Sequence, residues 1–312
     1  MNNDTILILL ATYNGEAFLR QQLDSLLCQE HQNLQIIVSD DGSTDHTLNI
    51  LESYQDAYPD KIFHYRSGQR FGCAQKHFMH LLNQFHNASY IMFCDQDDVW
   101  HPDKVSKTLT CMKQIQRDPG VPALVHTDLR VVDRNLAEIA RSFCDHSGLD
   151  GNRLALNHLL VQNVVTGCTM MINQALAELA CRDVNSDAML MHDNWIAILA
   201  AACGVTGFLN EATIDYRQHG ANSVGAKNVY SPAYLLHRLT SQKMRRSLNS
   251  AARQAASILD SYSDVLQPEQ KELLLAFAST ENASILKRNR VYLKYRLLKS
   301  GVIRVAAQLL GF

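Results

Sequence analysis

Short apolar runs of strand length alternate with amphipathic stretches of helical spacing along the first two thirds of this 312-residue chain. That alternation is the strongest limit on what it can fold into. Ile6 to Ala11, Leu34 to Val38, Lys61 to Tyr65, Tyr90 to Cys94, Ala123 to Val125 and Thr169 to Ile172 read as strands. Between them Ala17 to Leu27, Thr47 to Tyr54 and Pro102 to Ile115 repeat their apolar residues at helical spacing. Parallel neighbours need a crossover connection, and helices supply it, so the expected fold is α/β: a Rossmann-like, mostly parallel sheet flanked by helices. The chain is long enough, and at 46% hydrophobic residues apolar enough, to bury a full core.

Charge divides the chain. Residues 1–232 carry 16 Lys and Arg against 26 Asp and Glu, whereas residues 233–312 carry 13 against 5. The expected organisation is therefore an α/β domain over 1–230 and a helical, basic C-terminal region over 231–312, with the boundary near Ser231-Pro232. The eight cysteines are scattered without a C-x-x-C pair, which favours reduced thiols over a disulfide lattice or a zinc site and makes a cytoplasmic location the expectation. Met1 to Asp4 lacks the basic flank of a signal peptide. The apolar stretch Ile196 to Leu209 is broken by glycines and shorter than the roughly 20 residues a spanning helix needs, so no membrane crossing is expected.

Polar signals gather where the predicted strands end, which is where open α/β sheets bind ligands. Thr12-Tyr13-Asn14-Gly15 follows the first strand, Ser39-Asp40-Asp41-Gly42-Ser43-Thr44-Asp45 the second, and Asp95-Gln96-Asp97-Asp98 the run Tyr90 to Cys94. Like charges packed on one turn repel and raise one another's pKa unless a cation compensates, so Asp95, Asp97 and Asp98 point to a hard divalent metal, Mg²⁺ or Mn²⁺. With neither a G-x-x-x-x-G-K-[ST] loop nor a G-x-G-x-x-G turn, a bound diphosphate would lean on that metal rather than on a glycine cradle.

In order and spacing, Thr12-Tyr13-Asn14, Asp40-Asp41-Gly42-Ser43-Thr44-Asp45 and Asp95-Gln96-Asp97-Asp98-Val99-Trp100 resemble family 2 glycosyltransferases of the GT-A fold. Val165 to Met171, His192-Asp193-Asn194-Trp195 and Tyr216 to Val224 are similar to a subset that includes bacterial rhamnosyltransferases of surface-polysaccharide assembly. The resemblance implies a metal-dependent, inverting transfer from a nucleoside diphosphate sugar to a glycan or lipid-linked saccharide acceptor, with dTDP-L-rhamnose the first choice of donor and UDP-hexose or UDP-hexosamine open. It further implies that Thr12, Tyr13, Asn14 and Asp41 hold the nucleotide, with Tyr13 against the base and Asp41 accepting from its imide N–H. Asp95-Gln96-Asp97 becomes the D-x-D signature, with Asp97 on the metal, Asp95 nearer the nucleotide's ribose or a metal-bound water, Asp98 in support, and His219 making a late contact to metal or diphosphate. Arg70 or Lys76 would neutralise phosphate or orient the base, and Asp193 would be the general base, although His192 stands where the family often has an acid.

Plainer readings compete. Asp45 and Ser43 suit capping of the run Thr47 to Leu51, Asp193 could cap the stretch it opens, and Asp128 could face an acceptor or simply end a strand. A catalytically silent glycan-binding protein is the non-enzyme alternative. In the tail, Lys243, Arg245, Arg246, Lys287, Arg288, Arg290, Lys294, Arg296 and Lys299 alternate with apolar residues. Two readings stand: helices lying on an anionic membrane surface, which would make the protein peripheral on the inner face of the cytoplasmic membrane, or an appendage with a solvated basic face. No nucleic-acid partner is expected, because the first 232 residues are acidic and no recognition motif accompanies the patch.

Overall fold

A computed structural model describes residues 4–182, 186–219 and 243–311. Its centre is a nine-stranded sheet ordered β3-β2-β1-β4-β8-β6-β9-β5, with β7 paired to β6. The strands are β1 (Ile6–Thr12), β2 (Leu34–Asp40), β3 (Ile62–Tyr65), β4 (Tyr90–Cys94), β5 (Val99–Trp100), β6 (Ala123–Asp133), β7 (Glu138–Ala140), β8 (Met171–Asn173) and β9 (Val205–Gln218). The first four pair in parallel, β8 joins β4 and β6 antiparallel, and β9 runs parallel to β6. A mixed, mostly parallel sheet flanked by helices is thus what the alternation produces.

The apolar runs are continuous because both faces of the central strands are covered. Ile6, Ile8 and Leu10 pack beneath α1 (Leu19–Leu27), α2 (Thr47–Ala57) and α4 (Lys104–Ile115), while Leu7 and Leu9 face α3 (Ala74–Gln84), α7 (Gln174–Ala180) and α8 (His192–Cys203). Short helices α5 (Phe143–His146) and α6 (Leu156–Leu159) lie in the connection from β7 to β8. Past the undescribed stretch come α9 (Lys243–Tyr262), α10 (Pro268–Ala278), α11 (Ile285–Lys294) and α12 (Val302–Leu310), the helices expected of the tail. Met244, Leu248, Ala252, Ala255, Ile258 and Tyr262 recur at helical spacing along α9 and join the same apolar core as α3 and α8. The boundary expected near Ser231-Pro232 lies outside the described residues.

Three local expectations need correcting. The strand read as Ala123 to Val125 continues to Asp133, because His126, Thr127 and Asp128 are buried with their polar atoms satisfied. His126 Nε2 lies 3.0 Å from the Gly151 carbonyl, and the Thr127 and Thr213 hydroxyls pair at 2.7 Å. Asp128 does not end a strand; it accepts from Ser142 Oγ (2.5 Å) and the Phe143 and Cys144 N–H groups (both 3.2 Å), capping α5. The apolar stretch Ile196 to Leu209 is broken at a glycine as expected: it runs from α8 into β9, split at Gly204, where a Cβ would sit 1.9 Å from the Pro122 carbonyl oxygen. Finally, the tail's cations do not form one solvated face. Arg288 is buried, Lys299 Nζ donates to the Val161 carbonyl, and buried Arg304 donates to the carbonyls of Ser147 and Gly148. No helix among the described residues is long and apolar enough to cross a membrane.

Candidate active site

The carboxyl ends of β1, β2 and β4 open onto a cleft of about 570 Å³ whose far wall is the start of α8. Each strand end is held by its neighbours. Asp40 folds the β2 turn by accepting from Thr12 Oγ1 (2.9 Å), Gly42 N (2.9 Å) and Ser43 N (2.7 Å). Asp45 accepts from Thr47 N at 3.0 Å and Glu16 N at 3.1 Å, the capping role. Asn14 lines the cleft while its Oδ1 accepts from Thr44 N at 2.8 Å. Gln96, the middle residue of the acidic turn, pairs with both backbone groups of Tyr13, at 2.8 Å through Oε1 and 2.9 Å through Nε2. This clip requires Gly15, where a Cβ would stand 2.4 Å from Gln96 Oε1.

Thr12, Tyr13, Asn14, Asp41, Asp95, Asp97, Asp193 and His219 all line the cleft. Arg70 stands beside it, donating to Tyr13 Oη at 2.8 Å with its guanidinium 5.0 Å from the ring centre. Lys76 is exposed on α3 and is not in the lining, so Arg70 is the cation of that pair next to the site. Asp41 accepts from Phe71 N (2.5 Å) and Gly72 N (2.8 Å).

The acidic turn is divided by depth. Asp97 Oδ2 lies 2.6 Å from His219 Nε2 at the cleft. Asp98 points inward, fully buried, and takes the Arg217 backbone N–H at 3.0 Å. Burial, and then the charges of Asp97 and Asp95, hold the Asp98 carboxyl well above the carboxylate range. Below it the buried Lys104 ammonium sits 4.6 Å from the Trp100 ring centre, its pKa pushed down to about 8 by burial. Asp95, between these depths, is pushed up to about 7 by burial and by the charges of Asp97 and Asp193.

Asp95, Asp98 and Cys168 offer ligand atoms within 4.8 Å of one another. Burial raises the Cys168 thiol well above its ordinary value, so it stays protonated and suits no hard cation. Asp95, Asp97 and His219 line the cleft, and carboxylate oxygens such as those of Asp95 and Asp97 are the donors that Mg²⁺ or Mn²⁺ prefers.

Across the cleft, Asp193 is the second residue of α8. Its Oδ1 accepts from Asn194 N at 2.5 Å and Asn163 Nδ2 at 3.2 Å, and burial pushes its carboxyl up to about 7 despite those donors. His192 before it is buried against Phe78 and Phe93, ring centres 4.5 and 5.4 Å away, and burial pushes its pKa down to about 3. A neutral imidazole therefore takes the place of a second acid, which leaves Asp193 the ionisable member of the pair.

Sequence reasoning missed two residues that hold this arrangement. Arg217 of β9, 1% exposed, donates to the Asp97 carbonyl (2.7 Å), the Arg134 carbonyl (2.6 Å) and Gln21 Oε1 (2.7 Å), and stacks on Phe18. Gln254 of α9, also buried, accepts from Leu190 N at 2.8 Å and donates to Asn194 Oδ1 at 2.7 Å, fixing the chain on either side of Asp193. The segment Tyr216 to Val224 carries a resemblance that singles out His219, but the role of the Arg217 guanidinium follows only from where β9 lands. Replacing Arg217 with Met should lower unfolding stability in urea by about 3 kcal/mol, since it strands several buried acceptors around the acidic turn.

A mixed, mostly parallel sheet with an acidic turn after its fourth strand and a carboxylate across the cleft is an arrangement of the GT-A class. The model of glycosyl transferase family 2 matches residues 7–179, and the chain belongs to that family. It is 30% identical to the dTDP-rhamnosyl transferase RfbG of Shigella flexneri over 72% of this chain and 76% of that protein. Among solved structures it resembles S. aureus TarS 1-349 in complex with UDP-GlcNAc (TM-score 0.55, 14% identity, 94% of this chain and 91% of that one). It also resembles the mannosyltransferase PcManGT of Pyrobaculum calidifontis in complex with GDP-Man and Mn²⁺ (TM-score 0.55, 15% identity, 98% and 79%). The protein is a glycosyltransferase; likeness at that level of identity to the solved structures shows the fold.

Proposed function

We propose that this glycosyltransferase moves L-rhamnose from dTDP-L-rhamnose, with inversion, onto a glycan or lipid-linked saccharide during surface-polysaccharide assembly in the cytoplasm. The observation that carries the reading is the facing pair of Asp193 and the Asp95–Asp97 turn across one cleft. The similarity to RfbG supports the choice of donor.

Asp95, Asp97 and His219 would hold Mg²⁺ or Mn²⁺, which when bound supplies positive charge against the departing diphosphate. Tyr13, with Arg70 on its ring, packs against the base, and Thr12 and Asn14 close the nucleotide's end of the cleft. Asp41 exchanges its hold on Phe71 and Gly72 for the base imide N–H. Asp193 takes the proton of the acceptor hydroxyl as that oxygen attacks the anomeric carbon. A single displacement of this kind inverts the centre. A carboxylate whose pKa lies near 7 is a far better base at neutral pH than an ordinary aspartate near 4.

A nucleotide-sugar panel tested by thermal shift with Mn²⁺ checks the donor. Ligand that binds only the native state raises its apparent stability by about 2.7 kcal/mol at a hundred times Kd. dTDP-L-rhamnose should give the largest shift; a larger one from a UDP-sugar would replace the assignment.

A further inference from the structure

The C-terminal helices bury some of their cations, yet they leave an unusual set of apolar side chains outside. Leu286 is 81% exposed and Leu293 59% on α11; Val302 is 86% exposed and Leu310 61% on α12. Leu286 and Leu293 are seven residues apart, two helical turns, and so lie on one stripe with the exposed Arg290 between them and Lys287 beside them. The two helices meet: a Cβ placed on Gly311, at the end of α12, would lie 3.0 Å from Ile285 Cδ1 at the start of α11, and Asn289 donates to the Leu309 carbonyl at 2.9 Å. The exposed residues of α11, Leu286, Lys287, Arg290 and Leu293, thus form a patch of leucine, lysine and arginine on a helix that α12 packs against.

We propose that this patch docks the enzyme on an anionic lipid bilayer, apolar side chains entering the interface and Lys287 and Arg290 meeting phosphate headgroups. Charge complementarity selects the occupant: residues 284–312, which hold α11 and α12, contain no Asp or Glu, and Lys287 and Arg290 stand exposed beside the leucines. A second copy is disfavoured, because a two-fold interface sets the same patch against itself and would bring these cations together. The patch is also tied to the acceptor side of the cleft. In the loop joining α11 to α12, the Arg296 carbonyl accepts from Asn157 Nδ2 (3.1 Å) and Ser300 N donates to Gln162 Oε1 (2.7 Å), next to the Asn163 that contacts Asp193. The inference rests on the reading that the acceptor is lipid-linked, which docking would bring to Asp193.

The full chain should co-sediment with vesicles of phosphatidylcholine and phosphatidylglycerol and not with phosphatidylcholine alone, and salt should weaken the binding. Leu286→Ser with Leu293→Ser, and separately Lys287→Glu with Arg290→Glu, should each cut the bound fraction at least about 10-fold. Because these side chains are exposed, melting temperature and turnover on a water-soluble acceptor should hold. Native protein that ignores acidic vesicles, variants that bind as well as it does, or a native dimer that the leucine variants split would each overturn docking. The donor panel reads the transferase assignment separately, so the two can fail independently.

Discussion

Asp193→Asn should lose about 10³-fold in kcat while binding the nucleotide-sugar donor as the native enzyme does, the size expected when a general base is removed. The substitution preserves shape, and its amide can still accept from Asn163 and from Asn194 N. It removes the one property the proposed step needs, a carboxylate that can take a proton. Native pH dependence sharpens the test. Because burial raises the Asp193 carboxyl to about 7, the active, deprotonated form is lost as pH falls through that value. At saturating metal and substrates, kcat at pH 5.5 should be about 30-fold below its alkaline plateau. Asp95 is also pushed to about 7, but a bound divalent cation would draw its pKa down. A limb near pH 7 that survives saturating Mn²⁺ therefore belongs to Asp193, and one that moves with Mn²⁺ belongs to Asp95. An Asp193→Asn enzyme within a few-fold of native turnover would sink the assignment of the base.

The ends of β1, β2 and β4 were legible because parallel strands buried on both faces read as unbroken apolar runs, and the polar residues that stop them have few places to be except the cleft. What escaped was set by long-range closure. β9 carries partly exposed residues over its first half, so Val205–Gln218 has no clean strand signature. Only its register beside β6, with Val132 opposite Arg217, brings that guanidinium under the acidic turn. Buried polar pairs hid the length of β6 in the same way, since a run that includes His126, Thr127 and Asp128 looks like a strand end until Gly151, Thr213 and Ser142 are seen to satisfy it. Net charge sets the tail apart in the sequence. It could not tell that Arg304 turns inward to carbonyls while Arg290 stays outside, because that depends on which helix face the core claims.

Asp97→Ala should abolish the metal-dependent part of donor binding and lower turnover by about 10³-fold, equivalent to the several kcal/mol that a cation at a leaving diphosphate supplies. The contrast with Asp193→Asn is the informative feature: one variant loses the donor's metal-dependent grip, the other only the proton transfer. Stability should separate from activity here. Asp97 lies at the cleft, and its partner His219 loses one contact, whereas the turn itself is held by Gln96, by Arg217 on the Asp97 carbonyl and by buried Asp98. Removing the carboxylate also removes a charge that helps raise Asp95, so the melting temperature of the metal-free variant should match or exceed that of the native protein. Addition of Mn²⁺ and donor should then stabilise the native enzyme and leave the variant unmoved. If Asp97→Ala keeps the full Mn²⁺-dependent shift, the cation is held deeper, by Asp95 and Asp98. That outcome would require the buried carboxyl of Asp98 to ionise beside a protonated Cys168, a much costlier arrangement than the open set of Asp95, Asp97 and His219.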